Sequence, residues 1–249
     1  PIKLVDKDFE ASFNGKNWVV RWHWISNCPK LRNTIGQYRI PADSSKEFSN
    51  EVKSWIAKGW LQKSSNQEAP VIPLMCVVNK NKRKVRPVLD YRELNQHVSS
   101  HTADSVVCGS SLRKWRKMGH RAKILDLANA YLQIHVLEDM WEHQAVRFEG
   151  IRYTLTRLGF GLSIAPKIMS TIVNHVLSTD PDVKRGTSAY IDDILVDEDL
   201  VSCTYVKELL QRFGLHTKPE ESLSAARALG LRVQKIYERR TSLVSRQCS

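Results

Sequence analysis

Three aspartates sit where an apolar strand would otherwise run without charge. Asp126 interrupts Ile124-Leu125-Asp126-Leu127, and the doublet Asp192-Asp193 interrupts Tyr190-Ile-Asp-Asp-Ile-Leu195. An ionised carboxylate taken out of water without a partner is costly, so such a group is ordinarily paired, bound to metal or placed at a solvated strand end. Each site alone has an ordinary explanation, since Asp is a turn former and a tight hairpin accommodates an Asp-Asp pair. Together they make a different case. If the two strands are neighbours, a carboxylate from each converges on hard divalent cations, which take oxygen ligands and also bind phosphate oxygens. Two ions about 3.5–4 Å apart would activate an attacking hydroxyl and stabilise a leaving pyrophosphate in an in-line displacement.

Such chemistry needs a rigid frame. With 42% hydrophobic residues over 249 positions, the chain can bury a sizeable core, as one large domain or two interlocked subdomains. Thirty-eight Lys and Arg against 26 Asp and Glu leave a net charge of +12, which favours a polyanionic partner such as nucleic acid. The cysteines at 28, 76, 108, 203 and 248 are scattered and odd in number, without a CxxC pair. Neither a disulfide framework nor a zinc site is expected, and a reducing compartment is the default. The eight histidines show no ligand spacing with these cysteines. No run approaches the roughly 20 apolar residues of a membrane span, and the N-terminus lacks a charged-then-apolar signal pattern. A soluble protein without a membrane partner is expected, and the start at Pro1 reads as a fragment or a processed piece of a polyprotein.

Periodicity predicts a helix over 44–61, with Ser44 and Glu47 as a capping box, Phe48, Val52, Trp55 and Ile56 on one face, and Gly59 as its stop. A strand over 71–79, the basic run Asn79-Lys-Asn-Lys-Arg-Lys-Val-Arg86 and the apolar run 87–89 predict a hairpin with a cationic tip. A strand over 123–127 is followed by a short helix or turn. Runs of period 2 on either side of Glu149-Gly150 predict a second hairpin. Ser163 would cap a helix carrying Pro166 in its first turn and burying Ile168, Met169, Ile172, Val173 and Val176, as far as Leu177. A strand pair over 187–196, a helix over 200–213 stopped by Gly214, and a strand over 228–233 complete the reading. Strands and helices mix without strict alternation, which argues α+β rather than a doubly wound sheet.

Five motifs stand in order: Val85-Arg-Pro-Val-Leu-Asp-Tyr-Arg-Glu-Leu-Asn95, Leu125-Asp-Leu-Ala-Asn-Ala-Tyr-Leu-Gln133, Leu158-Gly-Phe-Gly-Leu-Ser-Ile-Ala-Pro166, Tyr190-Ile-Asp-Asp193 and Leu229-Gly230. In these motifs the chain, over about residues 50–235, resembles the reverse transcriptases of long-terminal-repeat retrotransposons and retroviruses. The resemblance implies right-hand polymerase fingers and palm, with an antiparallel palm sheet backed by helices. It assigns 1–99 to an N-terminal segment and fingers, 100–133 to palm, 134–165 to fingers again, and 166–249 to palm and the start of a thumb connection. Asp126 and Asp192 would hold two magnesium ions, for which manganese could substitute. Asp193 is the third acid, and the Leu127 carbonyl an auxiliary ligand. Tyr131, beside Ala130, matches the gate that selects deoxynucleotides, its alternative being a core tyrosine. Arg86 matches the fingers arginine on the incoming triphosphate, with Lys80, Lys82 or Lys84 as the second contact. Phe160 and Gly161 fall where the family shapes the nucleotide pocket and supports the template base. Tyr190 and the turn Leu229-Gly230 fall on the primer strand.

The implied partners are an RNA or DNA template with its primer and deoxynucleoside triphosphates, and the implied setting is an intracellular retroelement particle. Nothing in the remaining residues resembles a thumb or an RNase H domain. An RNA-dependent RNA polymerase would share the paired acids but shows Gly-Asp-Asp and no bulky gate. A non-catalytic remnant that binds nucleic acid is the alternative outside the enzymes. The basic stretch Arg113, Lys114, Arg116, Lys117, Arg121 and Lys123 around Trp115 either tracks a phosphate backbone or forms a solvated helix face. Trp22-His23-Trp24 could stack on bases, but packing at the N-terminal edge is the stronger expectation.

Overall fold

The computed structural model describes residues 1–79, 84–100, 122–219, 221–222, 227–228, 231–234 and 242–246, giving backbone only at Asn79, at Lys84 and beyond 219. Contacts divide the chain into two units. Pro1–Asn14, Trp18–Ser100 and Ile134–Ala165 form the first, and Gly15–Asn17, His101–Gln133 and Pro166–Ser249 the second.

The first unit opens with a meander of β1 (Ile2–Val5), β2 (Phe9–Phe13) and β3 (Trp18–Trp22). Alternation turns Phe9, Ala11 and Phe13, and Trp18, Val20 and Trp22, to the buried side. Trp22 meets Trp24 edge-on, with ring centres 5.9 Å apart, and Trp24 meets His143 at 4.7 Å. Trp22 is therefore a core residue rather than a platform for bases.

Helix α1 spans Ser45–Ala57 and buries Phe48, Val52 and Trp55. The expected capping box does not form, because a 3-10 turn over Ala42–Ser44 precedes the helix and the Ser44 hydroxyl donates to Asp43 instead. Its end follows the Schellman pattern, Gly59 N–H bonding to Ile56 and Trp60 N–H to Trp55, with the Trp55 and Trp60 rings in contact.

Three further strands of this unit, β4 (Leu61–Lys63), β5 (Leu74–Asn79) and β6 (Lys84–Leu89), follow. β5 and β6 pair as the expected hairpin, with Asn79 opposite Lys84, and its tip lies outside the described residues. Beyond β7 (Ala122–Asp126), which belongs to the second unit, come β8 (His135–Val136), helix α2 (Glu138–Trp141), β9 (Ala145–Phe148) and β10 (Ile151–Leu155). β8 lies parallel to β3, and the β9–β10 hairpin turns through Glu149 and Gly150, both at positive φ, as a two-residue turn matched to strand twist requires. Arg152 on β10 is 1% exposed. Its guanidinium is taken up by Glu142 at 2.6 Å, Ser64 at 2.6 Å and the carbonyls of Asn66 and Pro70, which a buried cation needs.

The second unit is built on an antiparallel sheet ordered β11–β12–β7–β13, with β11 at Thr187–Tyr190, β12 at Asp193–Asp197 and β13 at Glu221–Ser222. Ile194, Leu195 and Val196 follow one another at 0% exposure. Successive strand residues face opposite ways, so both faces of the sheet are covered. Helix α3 (Ala165–Leu177) buries Ile168, Met169, Ile172, Val173 and Val176 as periodicity predicts. It starts beyond Ser163, whose hydroxyl donates to the Ser99 carbonyl. Helix α4 (Pro181–Gly186) is capped by Asp180.

Helix α5 (Cys203–Arg212) begins three residues later than predicted. Ser202 accepts from Tyr205 N–H and sets the start, leaving Leu200 and Val201 in a turn bonded back to Asp197. The strand expected over 228–233 is two, β14 (Arg227–Ala228) and β15 (Leu231–Gln234), paired Ala228 to Leu231, and β15 pairs onward with β16 (Ser242–Arg246).

Gly59 and Gly214 both end helices in the left-handed region, at φ 69 and 70. A Cβ on Gly59 would meet nothing within 4 Å, whereas one on Gly214 would lie 2.3 Å from the Lys16 carbonyl oxygen. Gly59→Ala is therefore expected to lower stability by about 1–2 kcal/mol, and Gly214→Ala by about 1–3 kcal/mol more for the clash. Urea unfolding of the two variants followed by tryptophan fluorescence checks this, and equal losses would show that the Lys16 backbone yields freely.

Candidate active site

The acids are placed by strand register. β7 runs antiparallel to β12 with Leu125 opposite Ile194 and Ile124 opposite Leu195, and these apolar pairs carry Asp126 to a position opposite Asp193. Directly opposed residues have Cβ atoms about 4.5–5.5 Å apart on one face of the sheet. All three acids are half-buried rather than enclosed, which spares them the full desolvation penalty. Tyr190 pairs with Asp193 across the β11–β12 hairpin, leaving Ile191 and Asp192 as its two-residue turn. Ile191 has φ 56, a conformation that strains a β-branched side chain. Strand pairing on either side holds the turn there, as does the Leu127 N–H, which donates to the Asp192 carbonyl at 3.2 Å.

After β7 the chain turns through Asn129 at φ 51 into a 3-10 turn over Ala130–Gln133. Asn tolerates this left-handed position through its short polar side chain. The turn buries Ala130 and Leu132 and leaves Tyr131 half-buried. Burial, then the negative charge of Asp192 and the neighbouring Tyr190, raise the Tyr131 phenol well above its ordinary pKa. The sequence-predicted gate residue thus lies within the field of Asp192.

A second segment closes the other side of β7. Ala128 N–H donates to the His216 carbonyl at 2.9 Å, and Lys218 N–H to the Asp126 carbonyl at 2.8 Å. The Gln133 amide donates to the carbonyls of Ala128 and His216 and accepts from His216 N–H at 2.6 Å. The Lys218 ammonium rests 2.5 Å from Asp126 Oδ2, with side chains 49% and 41% exposed. Sequence reasoning missed Lys218, since no local pattern links residues 92 positions apart. Gln133 closes the run 125–133, where its residue type alone points to no partner.

Among the described residues, no group of three or more His, Cys, Asp or Glu side chains is gathered so as to hold a metal ion. The cation on Asp126 is Lys218. The donors nevertheless suit a hard divalent ion. They are carboxylate oxygens, two of them on directly opposed residues, and one already takes a positive charge.

In the first unit, Arg86 lies exposed on β6 opposite Val77. Lys84 opens that strand, and Lys80 and Lys82 lie outside the described residues. Phe160 is half-buried and Gly161 exposed. Asn95 clasps their loop, its amide donating to the Gly161 carbonyl at 2.9 Å and accepting from Ser163 N–H at 2.8 Å. The same motif buries Leu89, Tyr91 and Leu94. Hydrogen bonds from Arg92, helped by Tyr38 against the opposing effect of burial, hold the Asp90 carboxyl down to about 2. Leu229, Gly230 and the basic stretch up to Arg121 lie outside the described residues, while Lys123 pairs with Glu198 at 3.0 Å.

Known proteins share parts of this chain's sequence and its fold. The family described as reverse transcriptase (RNA-dependent DNA polymerase) matches residues 78–220, more than half of the chain. The Pro-Pol polyprotein of simian foamy virus type 1 is 28% identical over 164 residues, covering 66% of this chain and 14% of the viral one. The retrovirus-related Pol polyprotein from transposon 297 of Drosophila melanogaster is 26% identical over 163 residues, covering 64% and 15%. The chain thus spans a small part of the curated relatives it matches. A solved foamy viral protease-reverse transcriptase in complex with dsDNA shares the fold, with a TM-score of 0.71 at 21% identity over 96% of this chain and 48% of that one. Matched by the family model over more than half of its length, the chain belongs to the reverse transcriptase (RNA-dependent DNA polymerase) family.

Proposed function

We propose that this chain is the fingers-and-palm core of an RNA-directed DNA polymerase of retroelement type, the first unit being fingers and the second palm. The observation that carries the reading is the register that sets Asp126 opposite Asp193, next to the Asp192 turn. Asp126 and Asp192, with Asp193 and the Leu127 carbonyl, would hold two magnesium ions. When bound, such ions lower the pKa of an attacking 3′-hydroxyl and neutralise the departing pyrophosphate. Manganese, with the same preference for oxygen ligands, would substitute.

The remaining roles belong to the chain's own side chains. Tyr131, with Ala130 buried behind it, presents a ring that excludes a ribose 2′-hydroxyl and so favours deoxynucleotides. Arg86, with one of Lys80, Lys82 and Lys84, supplies fixed positive charge for the triphosphate. Asn95 keeps the Phe160-Gly161 loop in one conformation to support the template base. Tyr190 and the Leu229-Gly230 turn take the primer strand. The net charge of +12 suits a template-primer duplex, and the foamy viral relative was solved with dsDNA.

Primer extension on an RNA template with deoxynucleotides and Mg²⁺ or Mn²⁺ tests the reading. Asp192→Asn is expected to lower incorporation by about a thousandfold, as loss of several kcal/mol of ion-mediated stabilisation implies. Duplex binding without incorporation in either metal would instead indicate a non-catalytic remnant.

Tyr131→Val is expected to admit ribonucleotides while retaining deoxynucleotide incorporation. An unchanged ribo/deoxy ratio would remove Tyr131 from the gate. Asn95→Ala should speed hydrogen exchange at the Ser163 amide, with a loss of about 1–2 kcal/mol from the two released bonds, and raise the deoxynucleotide KM more than it lowers kcat.

A further inference from the structure

Lys218 is joined to Asp126 twice. Its backbone N–H donates to the Asp126 carbonyl at 2.8 Å, and its ammonium donates to Asp126 Oδ2 at 2.5 Å. The surrounding backbone leaves little slack. Thr217 bridges to Leu127, Ala128 N–H bonds to the His216 carbonyl, and Gln133 clasps residues 128 and 216 together. A lysine stem on so firmly held a backbone keeps its charge within reach of one carboxylate. Both side chains are about half exposed, at 49% and 41%, so water can take over either partner. An exposed pair of this kind contributes little and exchanges readily.

We propose that Lys218 is a built-in counter-cation for Asp126, which positions the carboxylate before ions arrive and which a divalent ion must displace in order to bind. The proposal rests on the reading of Asp126 as a metal ligand. A compact ammonium suits the task better than a guanidinium, because it offers a movable point charge rather than a rigid bidentate fork. It also offsets the repulsion that Asp126 and Asp193 exert on each other across the strand pair. Lys218 acts through Asp126 and is therefore a positioning residue. Metal loading becomes an exchange of one cation for another at an already aimed oxygen, rather than capture by a bare cluster of acids.

Two measurements on the chain without nucleic acid or nucleotide test this. In Mn²⁺ titrations read by electron paramagnetic resonance, Lys218→Met is expected to bind Mn²⁺ about three- to fivefold more tightly, the scale of a surface ion pair, and Lys218→Arg, whose fork grips a carboxylate harder, to bind it no more tightly than the original chain. Unchanged or weaker binding by Lys218→Met, while Asp126→Asn weakens binding, overturns the role of Lys218 and leaves the metal site standing. Should Asp126→Asn bind Mn²⁺ as the original chain does, the reading of Asp126 as a ligand fails first, and the proposal with it.

The second measurement uses the unmutated protein, so that it does not depend on a variant folding. Acylation of Lys218 by an amine-reactive ester, followed by mass spectrometry, is expected to accelerate on adding Mg²⁺, with Lys123 as the reference. A rate at Lys218 indifferent to Mg²⁺ overturns the proposal.

Discussion

The pairing of β7 with β12 is the constraint on which the candidate site depends. Side chains alternate strictly along a strand, so a slip of one residue would turn Asp126 away from Asp193 and break the packing of the apolar residues on both covered faces. Ile124, Leu125, Ile194, Leu195 and Val196 are all nearly inaccessible to water, and each fully buried aliphatic side chain of this kind contributes about 1.5–3 kcal/mol. The acids do not choose their own position. Hydrophobic burial along the two strands selects the register, and the register sets the carboxylates opposite one another.

The polar end of the sheet is then stabilised locally. The hairpin tip keeps Ile191 in an unfavourable conformation, because the strands on both sides and the bond from Leu127 to Asp192 over-determine the turn. Acids left half-exposed keep their access to water, and Lys218 supplies positive charge from a segment zipped to the far side of β7. Tyr131 reaches the same region because Asn129 turns the chain sharply after the strand. Strain, charge and an aromatic ring are thus collected at one strand end by backbone geometry.

Much of this was legible in the residues. Helix α3 appears with the buried stripe its spacing predicts, and the hairpins around 79–84, 149–150 and 191–192 form where turn and apolar patterns place them. The misses have local causes. Ser44 has the right identity for a cap, but a preceding 3-10 turn redirects its hydroxyl to Asp43. The apolar Leu200 and Val201 read as the opening of a helix, but Ser202 has the capping oxygen and sets the start after them. The apolar run at 228–233 reads as one strand, although Ala228 and Leu231 within it pair with each other. Apolar continuity does not report where a chain reverses.

By itself, the sequence determined the inventory. Acids interrupt two apolar strands, five motifs stand in order, and the residue types suit oxygen-loving cations and a polyanion. These properties are covalent or periodic, and a chain carries them before it folds. Only the tertiary structure decided which groups meet. It put Asp126 across from Asp193, brought Lys218 onto Asp126 from 92 positions away, and set Asn95 to hold the loop of Gly161. Such contacts depend on strand register and on backbone pairing between distant segments, both chosen by the burial of the whole apolar set, so no local stretch of residues encodes them.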